Sequence, residues 1–497
     1  MKNKIVSWEG LFLKKISDKV QNIPIGVKSA IVYTASSVFT RGLAIISVPI
    51  FTRLMTTDQV GVVNIYNSWY SLISAFATLS LTSGGFAVAM KEYSDRRDEY
   101  ESAVLTLTSI VAIIIALVYA IAPIFWQRIL GLPNTLIILM LIGFLFAPAR
   151  DFWLSRQRYE YKYKLAGMVS IITAVMATLV SIIVVVYMSN HSLGETAIGR
   201  LFANYIIIYG VAAIIWLYIF MKGKKMYCKE YWKMSLSISI PLIGYNIAGQ
   251  VLNVSDRMMI GRLVNNSAVG IYGTLYTVSS LSLLVWQAIN ASFVPYLFQN
   301  IEKKDHNIKK ISNLLLEAYA IIAVLLTFFA PEIVKILATK EYYEAIYIMP
   351  SIATGVFFTS YANLYSNIAV YYKKTKYVMY PAIIAASVNL VLNYIFIKLF
   401  GYMSAAYTTL FSYIVLAFFQ AMWSKKVCIE KDNVISNIYD NKKLIVLAIV
   451  TTGVSLLAIP MYSNTIIRYM FIVIGIIVTV IIINRILKSE MIKNKRN

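Results

Sequence analysis

Cysteine and histidine are almost missing from this chain, with two of each in 497 residues. Cys228 and Cys428 lie far apart in sequence and support neither a disulfide framework nor a thiolate metal cluster. His191 and His306 fall in loop-like segments, so no histidine-based hydrolytic constellation or zinc motif can be assembled, and no Gly-rich phosphate loop occurs. ATP-driven pumping is thereby disfavoured, and no metal or organic cofactor is expected. Acids are also scarce: 23 Asp and Glu stand against 46 Lys and Arg, a net charge of +23. Charged residues make up 14% of the chain, where soluble domains usually carry about 25%.

What the chain has instead is apolar length. Hydrophobic residues reach 59% and the mean hydropathy is +0.69. Fourteen apolar stretches are expected to span a membrane: 28–51, 61–83, 103–126, 135–154, 165–188, 196–221, 234–256, 268–292, 313–338, 345–368, 377–398, 402–424, 444–462 and 466–484. The expected fold is an all-α polytopic membrane protein. The basic residues sit in the connections between these stretches rather than on one soluble face, which argues against nucleic-acid binding. Counted from the N-terminus, every second connection is rich in Lys and Arg, and that side holds 35 of the 46 basic residues. By the positive-inside rule this side is cytoplasmic and carries both termini, and an even number of spans agrees. Residues 5–20 read as an interfacial amphipathic helix, with Ile5, Trp8, Phe12 and Ile16 on one face and Lys14, Lys15 and Lys19 elsewhere.

An internal repeat is visible. Residues 51–64 (FTRLMTTDQVGVVN) align without a gap to 260–273 (IGRLVNNSAVGIYG), matching Arg53 with Arg262, Leu54 with Leu263, Val60 with Val269 and Gly61 with Gly270. A second pair, 194–199 and 401–406, recurs at nearly the same offset. The expected organisation is a cytoplasmic N-terminal segment (1–27), a six-helix half (28–221), a basic linker (222–233), a second six-helix half (234–424), a basic loop (425–443) and two extra helices with a basic tail (444–497). Duplicated halves place a substrate path between the repeats, reached alternately from either side as one half rocks against the other.

Polar groups in hydrocarbon are costly unless they face protein or water, so aligned polar stripes mark the candidate path. In span seven Asn246, Gln250, Asn253 and Arg257 share one helical face. Span two carries Asn64, Ser68, Ser71, Thr78 and Thr82; span eight carries Tyr272, Tyr276, Ser279, Gln287 and Asn290; span one carries Tyr33, Ser37 and Arg41. Arg41 lies well inside span one, about 20 Å deep at 1.5 Å per residue. A ligand-facing role and an ion pair with a buried acid, Asp256 or Glu317, are the two readings of it. Arg53, Arg257 and Arg262 lie near outer helix ends, as site residues or interfacial anchors. Asp256 and Glu317, rare acids in apolar spans, are candidates for exchanging a proton or Na⁺. Pro241 and Gly244 interrupt span seven and mark a candidate hinge.

Three segments resemble a known family. Asn389 to Tyr407 (NLVLNYIFIKLFGYMSAAY), Phe39 to Gly61 (FTRGLAIISVPIFTRLMTTDQVG) and Asp256 to Tyr272 (DRMMIGRLVNNSAVGIY) look like the corresponding regions of bacterial polysaccharide-biosynthesis flippases, exporters of O-antigen and capsule repeat units. That family shares a superfamily with lipid II flippases and with multidrug and toxin extrusion antiporters. The resemblance implies a transporter rather than an enzyme. The implied substrate is an undecaprenyl-diphosphate-linked oligosaccharide, moved from the cytoplasmic to the outer leaflet of a bacterial cell membrane through a cationic cavity. A polysaccharide polymerase is an implied partner. Arg41 and Arg53 match first-span arginines of lipid II flippases by spacing, but a further arginine between them in that group is Ser47 here, which counts against lipid II as substrate. The resemblance also implies that spans thirteen and fourteen help to form a groove for the lipid tail. Cation-coupled multidrug export is the runner-up; a membrane-bound glycosyltransferase or polysaccharide synthase would need a larger soluble region than these loops provide.

Overall fold

The computed structural model describes residues 25–83, 85–302, 307–431 and 438–494; the expected amphipathic helix at residues 5–20 lies outside them. The first half consists of α1 (Ile25–Leu54), α2 (Thr57–Ala77), the short α3 (Gly85–Glu92), α4 (Arg97–Ile121), the short α5 (Pro123–Leu130), α6 (Asn134–Tyr159), α7 (Tyr163–Asn190) and α8 (Thr196–Gly223). A long helix, α9 (Lys229–Leu263), leads into α10 (Asn266–Ser279), α11 (Ser282–Asn300), α12 (Asn307–Phe328), the short α13 (Ala330–Leu337), a 3-10 segment (Lys340–Ile348), α14 (Met349–Tyr371), α15 (Lys376–Phe400) and α16 (Ser404–Lys431). Two further helices, α17 (Asn441–Met461) and α18 (Thr465–Asn494), complete the described chain. No strand occurs among the described residues.

Every expected span falls on helix, but spans two, three, eight and nine each cover two separate helical elements. Among the described residues eleven segments are long and apolar enough to cross a membrane, with α10 and α11 counted as one and the 3-10 segment joined to α14, and α9 makes a twelfth if it is taken across its bend; α2 and α18 fall short of that measure. The expectation of unbroken spans needs correction in the second helix of each half. In span two the α-helix stops at Ala77, Leu79 and Ser80 take positive φ, and the chain resumes as α3. Span eight breaks between α10 and α11 at Ser280 and Leu281.

The repeat seen in the sequence is a structural one at one end of the bundle. α1 and α9 end at Leu54 and Leu263; α2 and α10 begin at Thr57 and Asn266, each pair at the offset of the sequence repeat. The N-caps match as well. The Thr56 side chain accepts from the Gln59 N–H, and Asn265 accepts from Ala268, each satisfying a donor that a helix N-terminus leaves free.

The two halves meet along α2 and α10 with almost no side chain between them. A Cβ at Gly61 would stand 2.6 Å from the Asn266 carbonyl carbon and closer still to its oxygen. One at Gly270 would stand 3.0 Å from the Thr57 carbonyl carbon, again closer to the oxygen. Gly61 pairs with Gly270 in the repeat, and Thr57 with Asn266, so the contact is reciprocal about a pseudo-two-fold axis. The hydroxyls of Thr57 and Ser267 lie 2.7 Å apart beside it. At the same end Thr52 donates to the Leu337 carbonyl (2.9 Å) and Arg53 to the Ile336 carbonyl (3.0 Å), satisfying terminal carbonyls of α13.

α9 belongs to both halves. Its first part lies against the first half, where Tyr100 and Ser235 hydroxyls meet at 2.8 Å and Trp232 Nε1 donates to the Ala103 carbonyl (2.8 Å). Its second part joins the second half through Ser255 Oγ, which donates to Asn389 Oδ1 (2.9 Å). Between them, at Pro241, the helix bends by 45°. Two ion pairs fasten the extra helices to the second half, one at the start of α17 and one near the start of α18: Lys443 with Glu317 (2.6 Å) and the buried Arg468 with Glu332.

Candidate functional site

α1 carries alternating polar and apolar faces into the middle of the bundle, and the gap it leaves against the second half is a cavity of about 450 Å³. α1, α9, α10, α11, α14, α15 and α16 all contribute to its wall. Its polar lining includes Arg41, Tyr245, Asn253, Tyr276, Tyr413 and Gln420. Arg41 is the one charged residue in that lining, which contains no carboxylate. It makes no ion pair among the described residues. The break between α10 and α11 opens onto the same space through Ser280 and Leu281, an arrangement in which backbone groups can face a cavity instead of hydrocarbon. Gly249 lines the cavity, with no atom within 4 Å of where a Cβ would stand.

The acids considered as partners of Arg41 are engaged elsewhere. Asp256 is 1% exposed. It accepts from Tyr272 Oη at 2.6 Å and from the Arg257 backbone N–H at 2.8 Å. Glu317 pairs with Lys443. The ion-pair reading of Arg41 therefore finds no support in the geometry.

The remaining candidates are dispersed. Arg53 is exposed and bonded to the carbonyls of Pro49 and Ile336, so it fastens α1 to α13. Arg257 lies 4.1 Å from the Tyr276 ring centroid and donates to the Asn253 carbonyl, behind the cavity wall rather than in it. Arg262 is exposed at the end of α9. In the polar stripe of α9, Asn253 lines the cavity, whereas Asn246 and Gln250 are half-buried and do not. Gly244 packs closely on α15, where a Cβ would stand 3.2 Å from Met379 Sδ.

The stripe on α2 has a different use from the expected one. Ser68 donates to the Asn64 carbonyl and Thr78 to the Ser74 carbonyl, both within the helix, and the Asn64 side chain packs where a Cβ of Gly273 would be. None of these residues lines the cavity. Short residues there allow close helix approach, as small polar residues commonly do in membranes.

Several residues at the site carry no advance signal. Tyr413 and Gln420 reach the cavity from α16, an apolar helix in which isolated polar residues read as packing. Tyr413 Oη lies 3.1 Å from Tyr276 Oη, which donates to Asn253 Oδ1 (3.2 Å), so a hydroxyl–amide chain runs along the wall. Arg200, on α8, sits over the Phe51 ring at 3.6 Å and lines a smaller polar pocket with Asn67, Asn204 and Tyr205. The Asn389 segment turns out to hold the second half together. Asn389 and Asn393 are fully buried and link Ser255 on α9 to Thr409 and Thr408 on α16.

The family described as "Polysaccharide biosynthesis protein" matches residues 27–301, more than half of the chain. The chain belongs to that family. A second family, MatE, matches residues 241–395. Among solved structures, "Lipid II flippase MurJ, inward closed conformation" is similar with a TM-score of 0.66 at 15% identity, covering 93% of this chain and 100% of that one. An inward-facing multidrug resistance MATE family transporter of the MOP superfamily is similar with a TM-score of 0.58 at 13% identity, covering 79% and 96%. Among curated proteins no relative matches. At such identities the structures speak for the fold alone, that of a multi-pass membrane protein.

Proposed function

We propose that this protein flips an undecaprenyl-diphosphate-linked oligosaccharide, a repeat unit of capsule, O-antigen or a similar surface polysaccharide, from the cytoplasmic to the outer leaflet of a bacterial cell membrane. The observation that supports it most is Arg41, the only charge in the lining of a large cavity that has no carboxylate. A guanidinium fork matches diphosphate oxygens, and in a low-dielectric space the pairing is far stronger than in water. The tyrosine and amide groups around it suit sugar hydroxyls. Cationic-drug export would place acids in the cavity, so this lining speaks against it. The isoprenoid tail fits an apolar groove of about 820 Å³ between α14, α16 and α17, with Lys425 and Asn441 in its lining.

The cycle is alternating access. In the structure the halves touch at the end where Gly61 and Gly270 pack, and α9 bends at Pro241, where it passes from one half to the other; Pro241 and Gly244 serve as the hinge. Asp256, buried beside Tyr272, is the group proposed to take up a proton or Na⁺ in exchange for substrate; a polymerase in the outer leaflet would consume the product.

The test is flux of lipid-linked oligosaccharides in proteoliposomes, together with thermal stability. Replacing Arg41 by Ala removes an insertion cost of roughly 2.5–3.5 kcal/mol, so the variant should fold at least as well as the parent and lose flux. Arg41→Lys keeps the charge without the fork and should transport at an intermediate rate. A stable Arg41→Ala protein with full flux refutes the ligand role. Faster flux of lipid II than of any oligosaccharide repeat unit would favour the lipid II reading instead.

A further inference from the structure

A second cationic pocket lies within the first half, on a neighbouring face of α1. It has a volume of about 320 Å³ and is enclosed by α1, α6, α7 and α8. Arg150 and Arg158 enter it from α6, Tyr33, Ser37 and Thr40 from α1, and Ser170 from α7. No carboxylate lines it.

Its donors exceed its acceptors. Arginine only donates, and hydroxyls donate as readily as they accept. Arg150 Nε and Tyr33 Oη are buried without a hydrogen-bond partner. Arg158 makes no ion pair among the described residues and rests against the Tyr33 ring, 5.7 Å from its centroid. The nearest acid, Asp151, approaches Arg150 Nη2 at 3.8 Å, outside hydrogen-bonding distance, and is not part of the lining. The two form an ion pair without a hydrogen bond, and 46% of the Asp151 side chain is exposed. The pocket thus keeps two guanidinium groups against a single carboxylate, Asp151, which lies outside its lining.

The two arginines are eight residues apart on α6, about 12 Å along the axis. Arg158 stands at the end that adjoins the basic loops, and Arg150 is the deeper. Serine and threonine residues of α1 and α7 line the same pocket, and the Thr40 hydroxyl donates to the Ser37 carbonyl. A ligand that supplies several acceptor oxygens and negative charge matches this geometry; a neutral or cationic one leaves the donors unpaired at a cost of about 1–3 kcal/mol each.

We infer that this pocket is a phosphate- or diphosphate-binding site, separate from the Arg41 cavity and entered from the face that carries the basic loops. The inference rests on the donors of the pocket and does not require the transport reading: it holds for a lipid-borne phosphate and for a free one.

The test uses the full chain with Cys228→Ser and Cys428→Ser, and Ser170→Cys as a reporter in the pocket wall. Its alkylation by N-ethylmaleimide is timed with inorganic pyrophosphate, with farnesyl diphosphate and with farnesol. The diphosphates should slow labelling. Arg150→Gln and Arg158→Gln should each raise the concentration needed for protection roughly tenfold, the loss of one charged hydrogen bond. Arg41→Gln should leave protection unchanged. Protection by both diphosphates assigns the site to the phosphate group itself; protection by farnesyl diphosphate alone assigns it to a lipid-borne phosphate. Farnesol protecting as well as its diphosphate, no protection by any probe, or protection lost in Arg41→Gln would each overturn the inference. If a glutamine variant does not fold, the contrast between pyrophosphate and farnesol in the reporter protein still decides it, and Arg158→Lys tests the charge.

Discussion

Replacing Gly61 or Gly270 by alanine should open the outer seam. Carbon atoms rest about 3.5–4.0 Å apart, but the new methyl at Gly61 would begin 2.6 Å from the Asn266 carbonyl carbon. The obstacle is main chain at the start of α10, so no rotamer can relieve it. The helices must separate by about 1 Å, and overpacking of this kind costs about 1–3 kcal/mol. If that cost falls only on the state in which the outer ends touch, the balance between states moves roughly 5- to 150-fold. Gly210 and Gly453 provide the controls, since a Cβ at either has no neighbour within 4 Å. The assay is labelling from outside, in intact cells, of a cysteine placed at Ser280 in the cavity wall with Cys228 and Cys428 removed. Gly61→Ala and Gly270→Ala should raise the labelling rate, and the control variants should not. The reciprocal geometry predicts that the two seam variants behave alike. If both label at the parent rate and melt at the parent temperature, the seam does not hold the halves together and the argument from close packing fails.

Asp256→Asn should reduce flux and its dependence on the ion gradient, whereas Glu317→Gln, which breaks the pair with Lys443, should lower thermal stability and leave the ion dependence unchanged; flux with an imposed gradient separates the two. Cys228, half-buried, should escape membrane-impermeant thiol reagents in intact cells and react in inverted vesicles, while Cys428, 3% exposed, should react slowly in both; labelling of Cys228 in intact cells would reverse the orientation. At Glu160, just beyond the end of α6, burial pushes the carboxyl pKa up, but hydrogen bonds from Lys162 and Arg156 outweigh it and hold the value below 4.5. The folded value is the lower one, so its contribution to stability is full above the ordinary Glu range and is lost as pH falls below about 4.5; Glu160→Gln should flatten the melting temperature in that acid window.

Much of the architecture can be read from hydropathy alone, because a helix in lipid must satisfy its backbone internally and cover itself with apolar side chains. Each of the expected spans falls on helix, and the repeat matching Gly61 with Gly270 marks the closest approach of the halves. What hydropathy misses is orientation about each helix axis. Asn246 and Asn253 share a face by spacing, yet only Asn253 borders the cavity, because the face of α9 that lines it runs through Tyr245, Gly249 and Leu252, one position round from Asn246 and Gln250. Arg41 and Arg53 sit on the same helix, and the position of α13 turns one of them into a structural tie. Asp256 reads in sequence as a buried acid and a candidate partner of Arg41, and it is held instead by Tyr272, a contact between helices that periodicity cannot register. The breaks at Leu79 and Ser280 fall in short Ser- and Thr-rich stretches, TLSLTSGG and TVSSLS, which hydropathy averaged over a whole span passes across.

The solitary positive charge in the cavity lining has a consequence for the empty carrier. If the cargo carries a diphosphate of charge about −2, the loaded lining bears about −1 and the unloaded lining +1. A cell interior that is negative would then push the loaded form outward and draw the unloaded form back. Each unit charge carried across the full field is worth about 2.3 kcal/mol per 100 mV. Both strokes of the cycle would run downhill on membrane voltage alone, and transient currents of opposite sign in the two directions would record them.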